Sequence, residues 1–175
     1  MTEFYFIRHG DADYSEKGSK IYKNQGAFMC TLSQKGIEQA KQAAKAECLQ
    51  DAELIITSPF GRALHTAGIL SKELQLDFVV ETDLHEWLAD AINYEYIDKQ
   101  TSDQYYAEFR ANKGNFPEGE IRPYETAQSM KARVFPVLEK YKTYKKVIVV
   151  CHGTLMEFCL NIPHPDNCQI HKIEL

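Results

Sequence analysis

Short runs of apolar residues, rich in β-branched and aromatic side chains, recur along the chain and predict buried strands. Three of these runs are each followed within a few positions by basic side chains: residues 4–7 by Arg8 and His9, residues 54–57 by Arg62, and residues 147–151 by His152. A shorter run at 78–80 and a C-terminal stretch at 167–175 predict two further strands.

Apolar residues at helical spacing lie between these runs. Either Thr31 or Ser33 is suited to cap a helix whose apolar stripe consists of Ile37, Ala40, Ala44 and Cys48. Ser58 is the predicted N-cap of the next helix, because Pro59 follows it and proline favours the first helical position. Leu74 lies near the end of that second helix.

The remaining segments predict a mixture of helix and loop. A helix is predicted over about 125–141, with Pro136 expected to kink or split it. A short helix is predicted over 154–160. The Tyr-rich stretch 89–115 is predicted to form irregular helices that cover the site, and the polar stretch 11–30 a long loop that forms a pocket wall.

Strands that alternate with helices predict an α/β fold with a mostly parallel sheet. In open α/β sheets, ligands bind beyond the carboxyl ends of the strands. We therefore expect Arg8, His9, Arg62 and His152 to converge on one pocket. Guanidinium groups match phosphate oxygens in geometry and charge, so the natural occupant of this pocket is a phosphoryl group.

Composition limits the class of protein. The 175 residues, 44% of them hydrophobic, predict a single domain over 1–175. The formal net charge of −5 weighs against a nucleic-acid-binding surface. No apolar stretch resembles a signal peptide or a membrane span, and five cysteines suit a reducing compartment, so a cytoplasmic protein without a membrane partner is expected.

Four segments of the sequence resemble the signature segments of the histidine phosphatase superfamily, also called the phosphoglycerate mutase-like family. They are Arg8-His9-Gly10, Ser58-Pro59-x-x-Arg62-Ala63 with Thr66-Ala67 behind it, Leu84-x-Glu86, and Cys151-His152-Gly153. Their order and approximate spacing are similar to those of the family, and they extend over nearly the whole chain. The resemblance implies a three-layer sandwich of the phosphoglycerate mutase type.

His9 is the candidate nucleophile, because a neutral imidazole nitrogen can attack phosphorus and form a phosphohistidine. Its other ring nitrogen needs an acceptor that fixes the tautomer, and the Gly10 carbonyl is suited to that role. Arg8 and Arg62 are expected to hold the phosphoryl oxygens, and His152 to donate to the same group in its charged form.

Backbone N–H groups of the helix that begins after Gly153 add donors for an anion. The resemblance implies further phosphate contacts from Thr154 and Ser15. His85 is expected to point away from the cleft, because its neighbour Glu86 points in.

Glu86 is the candidate general acid, which would protonate the leaving oxygen and later accept a proton from the attacking water. Asp11 and Asp13, in the loop after His9, are alternative donors.

Neither a metal nor a cofactor is expected. The C-terminal residues His164, Asp166, Cys168 and His171 include metal-ligating types. If 167–175 is a strand, however, Cys168 and His171 point to opposite faces and cannot readily bind one ion. The sequence contains no Gly-rich nucleotide loop.

These features favour a metal-independent phosphatase that acts on a phosphorylated small molecule through a phosphohistidine. Phosphoglycerate mutase activity would use the same residues, and a phosphohistidine or phosphoprotein phosphatase is a further alternative. A non-catalytic module that binds phosphorylated ligands would need only the arginines.

Overall fold

The computed structural model describes residues 1–19 and 25–175 and contains a five-stranded sheet. The strands are β1 (Glu3–Arg8), β2 (Leu54–Thr57), β3 (Phe78–Val80), β4 (Lys146–Cys151) and β5 (Ile170–Glu174). Their order across the sheet is β3-β2-β4-β1-β5. All neighbours are parallel except β5, which runs antiparallel to β1. The predicted α/β fold with a mostly parallel sheet is confirmed.

Helices occupy the intervening segments. They are α1 (Gly26–Met29), α2 (Gln34–Ala43), α3 (Gly61–Leu74), α4 (Lys99–Ala111), α5 (Ala127–Glu139) and α6 (Gly153–Leu160). Two 3₁₀ turns, Glu47–Leu49 and Thr82–Leu84, complete the regular structure of the described residues.

Alternating side chains on the strands enter two separate cores. On β1, Phe4 and Phe6 pack into one core together with apolar residues of α4, α5 and α6. Tyr5 and Ile7 face the other side and pack with α3. Because strand side chains alternate between faces, one strand contributes to both interfaces through alternate residues, and the sheet becomes the middle of three layers.

The first helix after the N-terminal loop begins where the sequence suggested. Ser33, and not Thr31, is the N-cap of α2, because its Oγ accepts from the Gly36 N–H. The helix ends at Ala43, so the expected apolar stripe does not reach Cys48, which is exposed. Leu49, next to it in the 3₁₀ turn, is buried instead.

The start of α3 differs from the expectation. The helix begins at Gly61 with Phe60 as its N-cap, so Ser58 does not cap it. The Ser58 hydroxyl accepts from the Phe60 N–H and lies 2.7 Å from Nε2 of His152. Ser58 therefore belongs to the site and not to the helix.

Three other segments also depart from expectation. Helix α5 is continuous through Pro136 and is not split. Its buried residues Val134 and Val137 flank the proline, and burial of that apolar stripe offsets the loss of one N–H donor. The stretch 89–115 contains one regular helix, α4. Strand β5 starts at Ile170, so Cys168 lies outside it and has a positive φ of 57°.

The loop predicted over 11–30 contains the short helix α1 and an isolated bridge between Ala12 and Leu32. Residues 20–24 of this loop lie outside the described residues. Among the residues that the structure describes, no helix has the length and apolar character that a membrane crossing requires.

Candidate active site

His9 lies just past the end of β1, and both of its ring nitrogens have partners. Its Nδ1 is 2.7 Å from the Gly10 carbonyl oxygen, which confirms the acceptor expected from the sequence. Arg62 donates from Nε to Nε2 of His9 over 3.0 Å. Since a guanidinium can only donate, Nε2 is the unprotonated nitrogen and Nδ1 carries the proton.

The environment keeps His9 uncharged. Burial, together with the neighbouring Arg62 and Arg8 charges, lowers the pKa of His9 to about 3, and the Gly10 carbonyl opposes this shift only in part. At neutral pH the imidazole is therefore a neutral base whose Nε2 lone pair faces the guanidinium.

His152 lies beside His9 at the end of β4, with ring centroids 5.2 Å apart. It is completely buried, and its Nδ1 has no hydrogen-bond partner among the described residues. Burial, followed by the charge of Arg62, holds the pKa of His152 well below its usual range. The structure therefore favours neutral His152, whereas the sequence suggested a charged form beside a bound dianion.

The two arginines approach this pair from different elements. Arg62 donates from Nη1 to the Ala27 carbonyl over 2.6 Å, and its guanidinium lies over the ring of Phe60. Arg8 donates from Nη1 to the Pro165 carbonyl, and its Nε is buried without a partner among the described residues.

Gly153 allows Arg8 to approach the start of α6. A Cβ at this position would lie 3.1 Å from Nε of Arg8 and 2.6 Å from the imidazole of His164. The absence of a side chain therefore keeps the end of β1 close to the first turn of α6.

Glu86 is held by the N-terminus of α6. Its carboxylate accepts from the N–H groups of Thr154 and Leu155, at 3.1 and 3.0 Å, and from the N–H of Trp87. Thr154 thus meets a carboxylate in this structure, where the sequence suggested a phosphate contact, and its hydroxyl pairs with Tyr106. The favourable end of a helix dipole accounts for this placement of an acidic group.

A brace of two paired side chains supports the Glu86 segment. Arg133 binds Glu125 through two hydrogen bonds, of 2.6 and 2.9 Å, and also donates to the Asp83 carbonyl. The main chain of Glu125 binds the Leu88 carbonyl and accepts from the indole of Trp87. We call Arg133 and Glu125 the brace, because they contact the chain on both sides of Glu86.

A cleft of about 780 Å³ opens beside the histidine pair. It is lined by Arg62, which contacts His9, and by Phe60. The ring of Phe60 lies 5.2 Å from that of His152. Glu86 and His85 line the cleft as well. The expectation that His85 points away was wrong, because its imidazole stacks on Phe60 on the cleft wall.

The carboxylates of Asp11 and Asp13, in the loop after His9, make local contacts. Asp11 accepts from the Ser33 hydroxyl, and Asp13 accepts from the Ser15 N–H. The Ser15 side chain, followed by this backbone contact, lowers the pKa of Asp13. Ser15 itself is exposed. None of these three residues is among the described residues that line the cleft, whereas Glu86 is.

Three residues at the site carried no functional assignment from the sequence. Thr66 accepts from the Gly10 N–H and donates to the Arg62 carbonyl, and so links the ends of β1 and α3. Asn167 donates to the His9 carbonyl. Ser58 and Thr66 lie inside one of the segments that resemble the family signature, so the sequence did indicate them. Asn167 contacts His9 only through the fold, and no sequence pattern indicates it.

Residues of metal-ligating type do not gather into a site among the described residues, where no group of three or more His, Cys, Asp or Glu side chains could hold an ion. His164 pairs with Glu157, which also pairs with Arg110. All five cysteines are free thiols.

Comparison with known proteins identifies the family. The family model described as histidine phosphatase superfamily (branch 1) matches residues 4–170. The chain belongs to this superfamily. The match extends from β1 to the start of β5, and so includes every segment by which the sequence resembles the family.

Two relatives of this chain align over nearly its whole length. A protein named "Probable phosphoglycerate mutase GpmB" from Photorhabdus laumondii is 26% identical, with 99% of this chain and 85% of the relative aligned. One named "Putative phosphoserine phosphatase 2" from Hydrogenobacter thermophilus is 30% identical, with 100% of this chain and 90% of the relative aligned.

Solved structures share the fold. The mycobacterial glucosyl-3-phosphoglycerate phosphatase in complex with VO3 aligns with a TM-score of 0.70 at 21% identity, over 99% of this chain and 91% of that one. Bacillus stearothermophilus YhfR aligns with a TM-score of 0.73 at 18% identity, over 100% and 92%. At these identities the likeness concerns the fold alone.

Proposed function

We propose that this histidine phosphatase hydrolyses a phosphorylated small molecule through a phosphohistidine on His9. The observation that carries the proposal is the arrangement of the His9 ring, with Nδ1 on the Gly10 carbonyl and Nε2 facing Arg62. A neutral imidazole with a fixed tautomer presents one lone pair in one direction, as a nucleophile requires.

The reaction has two steps. In the first, Nε2 of His9 forms a bond to phosphorus while the bond to the ester oxygen breaks, and the departing alkoxide takes a proton from Glu86. In the second, water attacks the phosphohistidine, Glu86 takes a proton from that water, and the bond to Nε2 breaks. Phosphate leaves, and both residues return to their starting states.

Charged and polar neighbours hold the phosphoryl oxygens in both steps. Arg62, which donates to His9 in this structure, can direct its N–H groups to phosphoryl oxygens when substrate binds. The Nε of Arg8, which has no partner among the described residues, offers another donor. His152 adds an imidazole, and its low pKa would rise beside a dianion. Gly153 at the start of α6 completes the proposed binding residues. Thr154 contacts Glu86 and Tyr106 in this structure, and Ser15 is exposed and is not among the described lining residues.

Glu86 is the proton donor that the geometry supports best. It lines the cleft beside the histidine pair, whereas the two loop aspartates are engaged in local turns. In its anchoring on α6 both carboxylate oxygens act as acceptors, and one of them gains an O–H donor when the carboxyl group carries its proton.

Substitution of His9 tests the proposal. We expect His9→Ala to lose at least about 10³-fold in turnover of an aryl phosphate while its circular dichroism spectrum stays that of the wild type. His65→Ala is the matched control, because His65 also follows β2 on α3 but its Nδ1 accepts from the Leu32 N–H. Near wild-type turnover by pure His9→Ala protein would refute the nucleophile.

Phosphoryl transfer back to a bound product is the second candidate, because one relative is named as a phosphoglycerate mutase. Product analysis separates the two activities. A phosphatase releases inorganic phosphate in proportion to substrate consumed, whereas a mutase isomerises the substrate without release. Action on phosphohistidine or another phosphoprotein would instead appear with protein substrates only. The free cysteines accord with a reducing compartment, and we propose a cytoplasmic location on that ground.

A further inference from the structure

The residues that line the cleft indicate which kind of leaving group it can bind. Six aromatic residues line it, namely Tyr14, Phe28, Phe60, Trp87, Tyr94 and Tyr96. Phe28 and Phe60 pack against each other with ring centroids 4.7 Å apart, and His85 stacks on Phe60 with its ring plane tilted by 26°. Tyr94 and Tyr96 are exposed, so their ring faces are available to a ligand.

The charges of the described lining residues have predominantly one sign. Five carboxylates line the cleft, those of Asp83, Glu86, Asp90, Glu95 and Glu125. The described Lys and Arg residues of the lining are only two, Arg62 and Arg133.

Neither arginine is available to a second anionic group of the substrate. Arg62 contacts His9 and serves the phosphoryl end in the proposed reaction. Arg133 is engaged by both oxygens of Glu125 and by the Asp83 carbonyl. His85 adds no positive charge at neutral pH, because burial, with the charge of Arg133 second, lowers its pKa.

Two of the five carboxylates, those of Asp83 and Glu95, have no bonding partner among the described residues. Glu125 is paired with Arg133, and Asp90 accepts from the N–H groups of Ile92 and Asn93. Asp83 and Glu95 are exposed, and neither side chain has a hydrogen bond or an ion pair with a described residue. A carboxylate on the leaving group would meet these charges without a counterion from the described residues, and like charges in one cleft repel.

We propose that the leaving group of the substrate is an aromatic alcohol without an anionic substituent, and that a cationic substituent improves it. This inference rests on the proposed function and specifies its substrate class. The aromatic walls stack on the ring of the leaving group, and Asp83 and Glu95 attract a cation while they repel an anion. Phosphoglycerates, whose leaving group carries a carboxylate, are therefore poor substrates.

Three benzyl phosphates test the substrate class, because a group at the 4-position hardly alters the departing alkoxide. The 4-substituents are hydrogen, carboxylate and aminomethyl. We expect kcat/KM for the carboxylate ester to be at least about tenfold below that of the unsubstituted ester, and that of the aminomethyl ester to be equal or higher. Butyl phosphate, which lacks the ring, should be about tenfold poorer than benzyl phosphate.

Substitutions of the lining carboxylates test whether they cause this preference between esters. The double substitution Asp83→Asn and Glu95→Gln should reduce the preference for aminomethyl over carboxylate to about threefold or less. Glu73→Gln is the control, because Glu73 is an exposed carboxylate on α3 that is not among the described lining residues, and it should keep the full preference.

Binding of the three matching benzylphosphonates, measured by calorimetry, separates this inference from the proposed function. Ordered affinities without hydrolysis of any ester would overturn the phosphatase and leave the ligand class standing. Hydrolysis of all three esters at equal kcat/KM, or a preference for the carboxylate, would overturn the substrate class and leave the phosphatase standing. Absence of both binding and hydrolysis would overturn both.

Discussion

Two imidazoles without charge lie at the centre of the site, surrounded by guanidinium groups. His9 is 5% exposed and His152 is not exposed at all. Because burial penalises the charged form and Arg62 repels a second cation, the pKa values of both histidines are lowered. The same burial that keeps His9 neutral thus links the stability of the fold to pH.

We expect acid to destabilise this protein through its histidines. The pKa of His9 is about 3 when folded, compared with about 6.5 when unfolded, so only the unfolded chain binds this proton between those values. The contribution of His9 to the free energy of unfolding is complete above about pH 6.5. It is lost as pH falls toward 3, by up to about 1.4 kcal/mol per pH unit.

Urea denaturation of wild type and His9→Gln between pH 7 and pH 4 measures this contribution. The variant lacks the titrating ring, so its stability should fall with a shallower slope, by about one proton. Identical slopes for the two proteins would show that the ring of His9 is protonated to the same extent in the folded and unfolded states.

Glu86 has a distinct kinetic signature if it donates the proton. Glu86→Gln should lower kcat/KM by about 10²-fold or more for esters with alkoxide leaving groups, which need protonation as the bond breaks. Phenolate leaving groups need it less, so aryl esters should be affected less. The comparison uses kcat/KM because this ratio reports formation of the phosphohistidine.

Asp11→Asn and Asp13→Asn are the matched controls for this substitution. Both remove a carboxylate charge near the site without altering the Glu86 contacts to α6. If either of them shows the dependence on the leaving group while Glu86→Gln does not, the proton donor lies in the loop after His9.

The site residues come together because the ends of strands and the starts of helices meet. The ends of β1, β2 and β4 lie side by side, with Ile7 opposite Val150 and Thr57 opposite Val150 in the register. Helices α3 and α6 then start within a few residues of the strands that they follow. The segment 82–88 follows β3 at the edge of the sheet, and the brace formed by Arg133 and Glu125 holds it against α5.

We expect the brace to contribute substantially to stability. Arg133→Met leaves the carboxylate of Glu125, whose side chain is 4% exposed, without its counterion, at a cost of about 3–5 kcal/mol. Arg122→Met is the control, since Arg122 also binds a glutamate, Glu108, but both side chains are 28% exposed. The control should cost about 1 kcal/mol or less.

Thermal and urea denaturation measure both variants. Folded Arg133→Met protein should also show the leaving-group dependence expected of Glu86→Gln, because the segment that carries Glu86 loses a contact on one side. Equal stability loss in the two arginine variants would show that the brace has no special role.

The whole molecule is acidic, with a net charge of −5, whereas the proposed phosphoryl site contains two arginines, Arg8 and Arg62. In the proposed function, this local positive charge, and not the total, determines where a phosphoryl group binds. Since Arg8 and Arg62 supply the charge that a metal ion would otherwise provide, the proposed reaction has no step that needs one.

We therefore expect activity to be unchanged, within about 20%, after dialysis against excess chelator and assay in its presence. Added Mg²⁺, Mn²⁺ or Zn²⁺ should not raise it. A reversible loss of activity that one divalent ion restores would contradict a metal-independent reaction. A metal-dependent phosphatase treated in the same way is the positive control for the chelation itself.

Local pattern in the sequence determined the strands and the type of fold. Apolar runs bounded β2 and β3 correctly, and helical spacing located α2, α3, α5 and α6. The end of each run also identified His9, Arg62 and His152 as residues that meet, because parallel strands end at one edge of the sheet. These features depend on contacts within a few residues or on a general rule of topology.

Only the tertiary structure decided the contacts between distant segments. Ser58 has the sequence of a helix cap, yet its hydroxyl faces His152, 94 residues away. The orientation of His85 depends on the ring of Phe60, and the position of Glu86 depends on N–H groups of α6. Local periodicity carries no information about which partner a polar side chain finds across the core, because that partner is supplied by packing.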